Sequence, residues 1–140
     1  MASTIHVDIV SAEGALYDGV AARVIVPGLM GELGIAPRHA PLITGLKSGE
    51  VVLRDEEGNE EYFFVSGGIL EVQPFNVTIL ADTALRADDI DEAAAEAAEA
   101  AAKEALSGAE SHTDFSRAQG ELAEAAARLK VLRSLRKAKG

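Results

Sequence analysis

Cysteine is absent from this sequence of 140 residues. Its absence excludes disulfides, thiolate metal ligands and cysteine nucleophiles, and it suits a reducing compartment such as the cytoplasm. Long apolar runs are also absent, because nowhere do eighteen uncharged apolar residues occur together, and residues 1–10 have neither a basic segment nor an apolar run. We therefore expect neither a signal peptide nor direct membrane insertion.

Basic residues are scarce until the end of the chain. Residues 1–127 hold 7 basic and 23 acidic residues, a net charge of −16, whereas residues 128–140 hold six basic residues and no acidic one. Because an acidic body repels a phosphate backbone, the composition disfavours nucleic-acid binding. The basic tail favours an acidic partner, although the same tail also suits the negative end of a helix dipole and could serve solubility alone.

Residues 1–85 have the pattern of an antiparallel β-domain. Short runs rich in Val and Ile alternate with turn residues at intervals of about ten residues, which is typical of a sandwich or a barrel. Ile5, Val7 and Ile9 alternate with polar residues, so this strand has one buried face and one wetter face. With 48% hydrophobic residues, the chain is long enough for one such core and a smaller accessory element.

An alanine-rich helix is predicted after the β-domain, over residues 90–106. Nine of the fourteen residues from 93 to 106 are alanine, the strongest intrinsic helix former. Asp89 and Glu92 have the spacing of a capping box, and Gly108 stands where a C′ glycine ends a helix.

A second helix is predicted from about Asp114, with Thr113 or Asp114 as its cap. The short polar link before it makes the two helices antiparallel neighbours, so residues 86–140 are predicted to form a helical hairpin and the whole chain an α+β protein. Apolar residues on this helix recur every three or four positions, which keeps them on one face. They are Phe115, Ala118, Leu122, Ala125, Leu129 and Leu132.

The predicted inward face of the first helix is made mostly of methyl groups, from residues such as Ala94, Ala97 and Ala101. Burying an alanine stabilises far less than the roughly 1.5–3 kcal/mol available from a buried Leu or Ile. The sequence therefore predicts a hairpin that is weakly fastened and able to detach from the β-domain and open, since its intrinsic helicity survives without those contacts.

No constellation of residues predicts catalysis or metal binding. His6, His39 and His112 show no metal-ligand spacing, so no metal site is expected. Ser66-Gly67-Gly68 lies among β-hairpin patterns and resembles a tight turn rather than a nucleophile elbow. The glycine-rich stretch 28–34 lacks the lysine and serine of a phosphate-binding loop and is predicted to be a structured loop. We therefore expect no catalytic residue and no cofactor.

Long motifs resemble the epsilon subunit of bacterial F-type ATP synthases. They include GELGIAPRHAPL at residues 31–42, SGGILEVQP at 66–74 and NVTILADTA at 76–84. Two shorter matches, HVDIVSAE at 6–13 and IDEA at 90–93, extend the resemblance over essentially the whole chain in the family's order.

The resemblance implies a β-sandwich of about ten short strands over residues 1–85, which clamps the rotating gamma subunit and rests on the membrane-embedded c-ring. In the family the Gly-Glu-Leu-Gly loop faces the polar loops of the c-ring, which places Glu32, with Leu33 and His39 nearby, at that contact. The resemblance also implies a non-catalytic rotor subunit of proton-driven ATP synthesis, peripheral on the cytoplasmic face of the bacterial inner membrane.

The resemblance further implies that residues 86–140 regulate the motor. In many bacterial members the hairpin opens, and its terminal helix reaches the alpha and beta subunits and blocks ATP hydrolysis. The basic residues of that helix face an acidic segment of beta. The corresponding positions here are Arg128, Lys130, Arg133, Arg136 and Lys137.

Some members bind ATP through a motif at the start of the first helix, and a nucleotide-sensing module is the alternative function. The stretch here contains Ile90 and Asp91, but Ala94 stands where the motif has arginine. Because the lost arginine was the motif's phosphate partner, we predict weak or absent ATP binding. A stand-alone hydrolase, the third possibility, lacks an assembled nucleophile and base.

Overall fold

The computed structural model describes residues 3–140. Its strands are β1 (Ile5–Ser11), β2 (Gly14–Ala21), β3 (Arg23–Gly28), β4 (Gly31–Ile35), β5 (Leu42–Arg54), β6 (Glu60–Gln73), β7 (Asn76–Ala81) and β8 (Ala84–Arg86). A 3₁₀ turn (Ala87–Asp89) leads to the helices α1 (Glu92–Ser107) and α2 (His112–Lys139).

The eight strands form one continuous sheet that folds into two layers. Their order is β2-β1-β7-β6-β5-β3-β4, with β8 beside β6, and every pair is antiparallel except β1 with β7. The long strands β5 and β6 belong to both layers: residues 42–46 pair with 68–72, and residues 48–54 pair with 60–66. The predicted β-sandwich with a C-terminal hairpin is confirmed, but with eight strands rather than about ten, because β5 and β6 each run through both layers as one long strand.

Ser66-Gly67-Gly68 lies inside β6, so the predicted tight turn is wrong. Gly67 and Gly68 have φ angles of +92° and +131°, and the strand's pairing passes here from β8 to β7. A Cβ at Gly68 would lie 2.0 Å from the carbonyl oxygen of Leu80. The glycines are needed for this bend and for the close approach of β7. The glycine-rich stretch 28–34, predicted to be a loop, forms the end of β3, the two-residue turn and most of β4.

The sandwich core consists of large apolar side chains from the inward positions of the strands. Val7, Ile35, Phe63 and Leu70 are among those almost completely buried. The rings of Phe63 and Tyr17 form a T-shaped pair with centroids 5.5 Å apart, an arrangement that adds to the stability given by burial alone. Alternation along the strands thus produces one shared core.

The two helices begin at caps other than those predicted. The side chain of Asp91 accepts a hydrogen bond from the backbone N–H of Ala94 at 3.1 Å, and Ser111 accepts one from Asp114 at 3.0 Å. Gly108 ends α1 with a φ of −97°, outside the left-handed region expected of a C′ glycine. Both caps are small polar residues two positions from the nearest predicted one, a shift typical of helix ends.

The face of α1 that is buried differs from the predicted face. Ala95 and Ala102 are buried, whereas Ala94, Ala97 and Ala101 are exposed. In a helix made mostly of alanine several faces look alike, and packing against α2 decides which one is covered. On α2 the predicted seam is largely buried, but Phe115 at its beginning is 44% exposed.

A small second core attaches the hairpin to the sandwich. Its buried residues are Phe64, Ala87, Ile90, Ala95, Leu129, Val131 and Leu132. Most of the apolar volume comes from the C-terminal half of α2 and from Phe64 of β6. The hairpin is therefore held down mainly by α2, with α1 packed on α2 through alanines.

Candidate partner-binding surfaces

An apolar row crosses the outer face of the sandwich. Gly45 on β5 is opposite Ile69 on β6, Ile69 is opposite Leu80 on β7, and Leu80 is opposite Val10 on β1. Residues directly opposite one another in a sheet point to the same face. Ile69 and Leu80 are 50% and 47% exposed, and Ile43 in the next row is 69% exposed. Because large apolar side chains stand together in water here, this outer face has the character of a docking surface.

The β3–β4 turn extends this apolar surface. Gly28 pairs with Gly31, which leaves Leu29 and Met30 as the two turn residues, and Gly31 has a φ of +134° that suits glycine. Met30 is 99% exposed. Leu29 packs so closely over Gly45 that a Cβ there would lie 2.5 Å from its methyl group. The turn is therefore continuous with the apolar row.

The three residues that the resemblance assigned to the c-ring contact lie in different surroundings. Glu32 is exposed beside the turn, while Leu33 packs against the sandwich core. His39 is half-buried, and its Nδ1 donates to the carbonyl oxygen of its neighbour Ala40 at 2.7 Å. Of these three residues, Glu32 is the one that presents a charge beside the turn, and the c-ring role of all three stays a prediction.

Arg128 is held within the molecule. Its guanidinium carbon lies 4.8 Å from the centre of the Phe64 ring, and its Nη2 donates to Glu124 at 3.4 Å. Its Nε is buried without a hydrogen-bond partner among the described residues. The side chain thus adds a cation–π contact to the small core, and it reaches a partner only if α2 leaves Phe64.

The end of the basic tail is paired with acidic residues before and within α1. Arg136 Nη2 donates to Glu92 at 2.6 Å, and Lys139 Nζ lies 3.5 Å from Asp88. The hydrogen bond from Arg136 lowers the pKa of the Glu92 carboxyl below its usual range. These two ion pairs are satisfied only while α2 lies against the start of α1.

The remaining tail cations border cavities between α2 and the sheet. Lys130 and Arg133 line a cavity of about 390 Å³ together with Glu32 of β4. Within residues 3–140 neither cation forms an ion pair. Lys137 lines a neighbouring cavity with Tyr62. Residues assigned to different partners, Glu32 on one side and Lys130 and Arg133 on the other, therefore line one cavity while the hairpin is docked.

The degenerate ATP motif has structural roles in this arrangement. Ile90 is buried in the small core, Asp91 caps α1, and Ala94 is exposed. The cations beside this turn are Arg136 and Lys139, which are already paired with carboxylates. Weak or absent ATP binding at the motif stays a prediction.

Ile69 and Leu80, the exposed residues of the apolar row, were not singled out from the sequence. A signal was available, since Ile69 is followed by Leu70, and Ile79 by Leu80, within predicted strands. Two successive apolar residues in a strand place one side chain on each face, so one of them faces out unless the outer face is covered.

Comparison with known proteins matches the whole fold to one family. The family model for the β-sandwich domain of the ATP synthase delta/epsilon chain matches residues 4–87, and the model for the long α-helix domain of the same chain matches residues 88–133. The chain belongs to the ATP synthase delta/epsilon family. An ATP synthase epsilon chain from Nitrosococcus oceani is 59% identical over the full length of both chains, and one from Alkalilimnicola ehrlichii is 56% identical over 96% of each.

Solved structures agree with this fold of the delta/epsilon family. A chain in the mitochondrial ATP synthase of Euglena gracilis, resolved with OSCP, F1 and the c-ring, superposes with a TM-score of 0.82 at 19% identity, over 94% of this chain and 83% of that one. A chain of the central stalk and c-ring of the Tetrahymena thermophila enzyme gives a TM-score of 0.61 at 11% identity, over 91% of this chain and 96% of that one.

Membership of the delta/epsilon family makes this chain a non-catalytic subunit of the ATP synthase complex, as predicted. Neither helix within residues 3–140 combines the length and the apolar character required to cross a bilayer.

Proposed function

We propose that this chain is a rotor subunit of a bacterial F-type ATP synthase, in which residues 1–85 dock onto the gamma subunit and the c-ring and residues 86–140 restrain ATP hydrolysis. It works in proton-driven ATP synthesis, peripheral on the cytoplasmic face of the inner membrane. The observation that carries this proposal is the apolar row on the outer face of the sandwich. A non-catalytic subunit acts through the surfaces it covers, and this row is the exposed apolar surface that a permanent partner would cover.

The row and the β3–β4 turn suit two neighbouring partners. The flat face around Ile69 and Leu80 fits the side of a helical shaft such as gamma. The turn, with Met30 at its tip and the Glu32 carboxylate beside it, fits the polar loops of the c-ring, where the carboxylate can pair with cations. The continuity between turn and row through Leu29 and Gly45 supports simultaneous contact with both partners.

The inhibitory role rests on a hairpin with two competing sets of contacts. In the docked form the tail cations pair with Glu92 and Asp88, and Arg128 stacks on Phe64. In an extended form the same cations would face an acidic segment of beta among the alpha and beta subunits. A partner that binds one form better shifts the population toward it, so the resting form is set by the difference between the two sets of contacts.

Docking is tested by placing a charge in the apolar row of the full-length chain. We expect Ile69→Glu and Leu80→Glu to weaken binding to purified gamma subunit by roughly 100-fold, because binding would bury an unpaired carboxylate. Phe115→Glu is the matched control, since Phe115 is also exposed but lies on α2. Wild-type affinity in both row variants, measured by biolayer interferometry, would remove the docking role from this face.

Inhibition is tested by ATP hydrolysis of the reconstituted complex. We expect faster hydrolysis when residues 86–140 are deleted, and also when the full-length chain carries Lys130→Glu and Arg133→Glu. The charge-reversal variant should keep its affinity for gamma, because these cations lie outside the apolar row. Unchanged hydrolysis in both complexes would leave the docking role and remove the regulatory one.

A further inference from the structure

Three polar side chains come together on the outer face of β1 and β2. His6 and Asp8 are two positions apart on β1, and Asp18 on β2 is directly opposite Asp8. The Nε2 atom of His6 lies 2.6 Å from Asp18 Oδ1, and its Nδ1 atom lies 3.4 Å from Asp8 Oδ2. One donor atom from each residue falls within 4.8 Å of the others. The sequence offered no sign of this cluster, because strand pairing supplies Asp18.

A side chain outside the cluster fixes the orientation of the His6 ring. Nδ1 lies 2.6 Å from Asn76 Oδ1, and the amide nitrogen of Asn76 donates to Thr78 Oγ1 at 3.0 Å. With the Asn76 amide nitrogen directed at Thr78, its Oδ1 faces His6 and accepts the hydrogen of a protonated Nδ1. Histidines that ligate metals are commonly held in this way, with one ring nitrogen donating to an oxygen and the other free to bind the ion.

A positive charge has to lie between His6 and Asp18. With its one hydrogen on Nδ1, a neutral ring would direct the lone pair of Nε2 at a carboxylate oxygen 2.6 Å away. Across residues 3–140, Asp8 and Asp18 form ion pairs only with His6. Two carboxylates opposite each other therefore share one imidazole as their counterpart. A proton fits between Nε2 and Asp18 at 2.6 Å, whereas a zinc ion bonded to both atoms needs them about 3.3 Å apart, a separation that the exposed Asp18 side chain reaches by moving outward.

We propose that His6, Asp8 and Asp18 form a surface site for a divalent transition metal, with zinc as the best match. One imidazole nitrogen and two carboxylate oxygens are ligands that zinc accepts, and a water completes a tetrahedral set. Asp8 and Asp18 are 33% and 74% exposed in their side chains, so an ion enters directly from solvent. The site is separate from the degenerate ATP motif and from the basic tail, and it does not depend on the proposed function.

The site is tested by titrating zinc chloride into the full-length chain and monitoring the binding by calorimetry and by NMR of the histidine rings. We expect one ion per chain and a shift of the His6 ring signals. His6→Gln should abolish binding, and Asp18→Asn should weaken it at least tenfold. Asn76→Ala should weaken it roughly 10–100-fold, the usual effect of removing the group that orients a metal-binding histidine.

His39→Gln and His112→Gln are matched controls, because these histidines lie outside the cluster, and both should bind zinc as the wild type does. Zinc binding that survives His6→Gln, or that is lost in either control, would overturn the proposal. Zinc titration that leaves the His6 ring signals unmoved would show that a proton alone holds the cluster together. If His6→Gln fails to fold, Asp18→Asn still tests the site. The Asp18 side chain is exposed, so this variant is expected to fold.

Discussion

The sandwich and the hairpin are held together by surfaces of different kinds. The sandwich closes over Ile, Val, Leu and Phe side chains, whereas α1 meets α2 through alanines such as Ala95 and Ala102. A fully buried large side chain contributes roughly 1.5–3 kcal/mol and an alanine far less. The hairpin is fastened to the sandwich through a small core around Leu129 and Val131. We therefore expect the sandwich to unfold as one unit and the hairpin to detach at a lower free-energy cost.

The largest expected effect comes from emptying the sandwich core. Phe63→Ala should lower the free energy of unfolding by about 3–5 kcal/mol, because it leaves a cavity beside Tyr17 and removes their ring contact. Urea denaturation measures this loss. Phe75→Ala is the matched control: Phe75 is 66% exposed in the β6–β7 turn, and its removal should change stability by less than about 0.5 kcal/mol. Equal effects of the two variants would contradict the assignment of the core.

A smaller and more local effect is expected at the attachment of the hairpin. Leu129→Ala should cost about 2–3 kcal/mol of docking, so amides of α2 should exchange with solvent roughly 30-fold faster or more while those of β5 and β6 keep their protection. Native-state hydrogen exchange makes the distinction. Leu122→Ala, on the same helix but outside the small core, is the control. If α2 opened only together with the sheet, the hairpin would belong to the same cooperative unit and the contrast would disappear.

The ion pair between Arg136 and Glu92 should give a smaller effect that depends on pH. Because the folded pKa of Glu92 is lowered, its stabilising contribution is complete above the unfolded pKa and is lost as the pH falls through the folded one. Acidification should therefore lower the protection factors of amides in the last turns of α2, which compare their exchange with the intrinsic rate at the same pH. In Glu92→Gln this part of the pH dependence should vanish, and in wild type added salt should reduce it. An unchanged profile in Glu92→Gln would mean that the pair does not hold the tail.

The sequence predicted the architecture because its signals are strong and local. Alternation around Ile5 to Ile9 and the alanine run after residue 92 identify strands and helices without tertiary information. Contacts between distant segments could not be predicted from the sequence, because Arg136 meets Glu92, and Asp18 meets His6, only after the chain has folded. For the same reason the buried face of α1 was predicted wrongly, since an almost uniform helix takes its orientation from its neighbour.

The smallest expected effect is that of ATP on the isolated chain, and it tests whether the hairpin responds to nucleotide or only to protein partners. Ala94 offers no positive charge, and Arg136 is paired with Glu92, so calorimetry should detect no sub-millimolar binding. Asp91→Ala alone is a poor probe, because Asp91 caps α1 and its loss costs about 1 kcal/mol of helix stability. Asp91→Asn keeps the cap and removes the charge. Sub-millimolar binding that Asp91→Ala abolishes would contradict the prediction, and Asp91→Asn would then show whether the carboxylate or the cap is responsible.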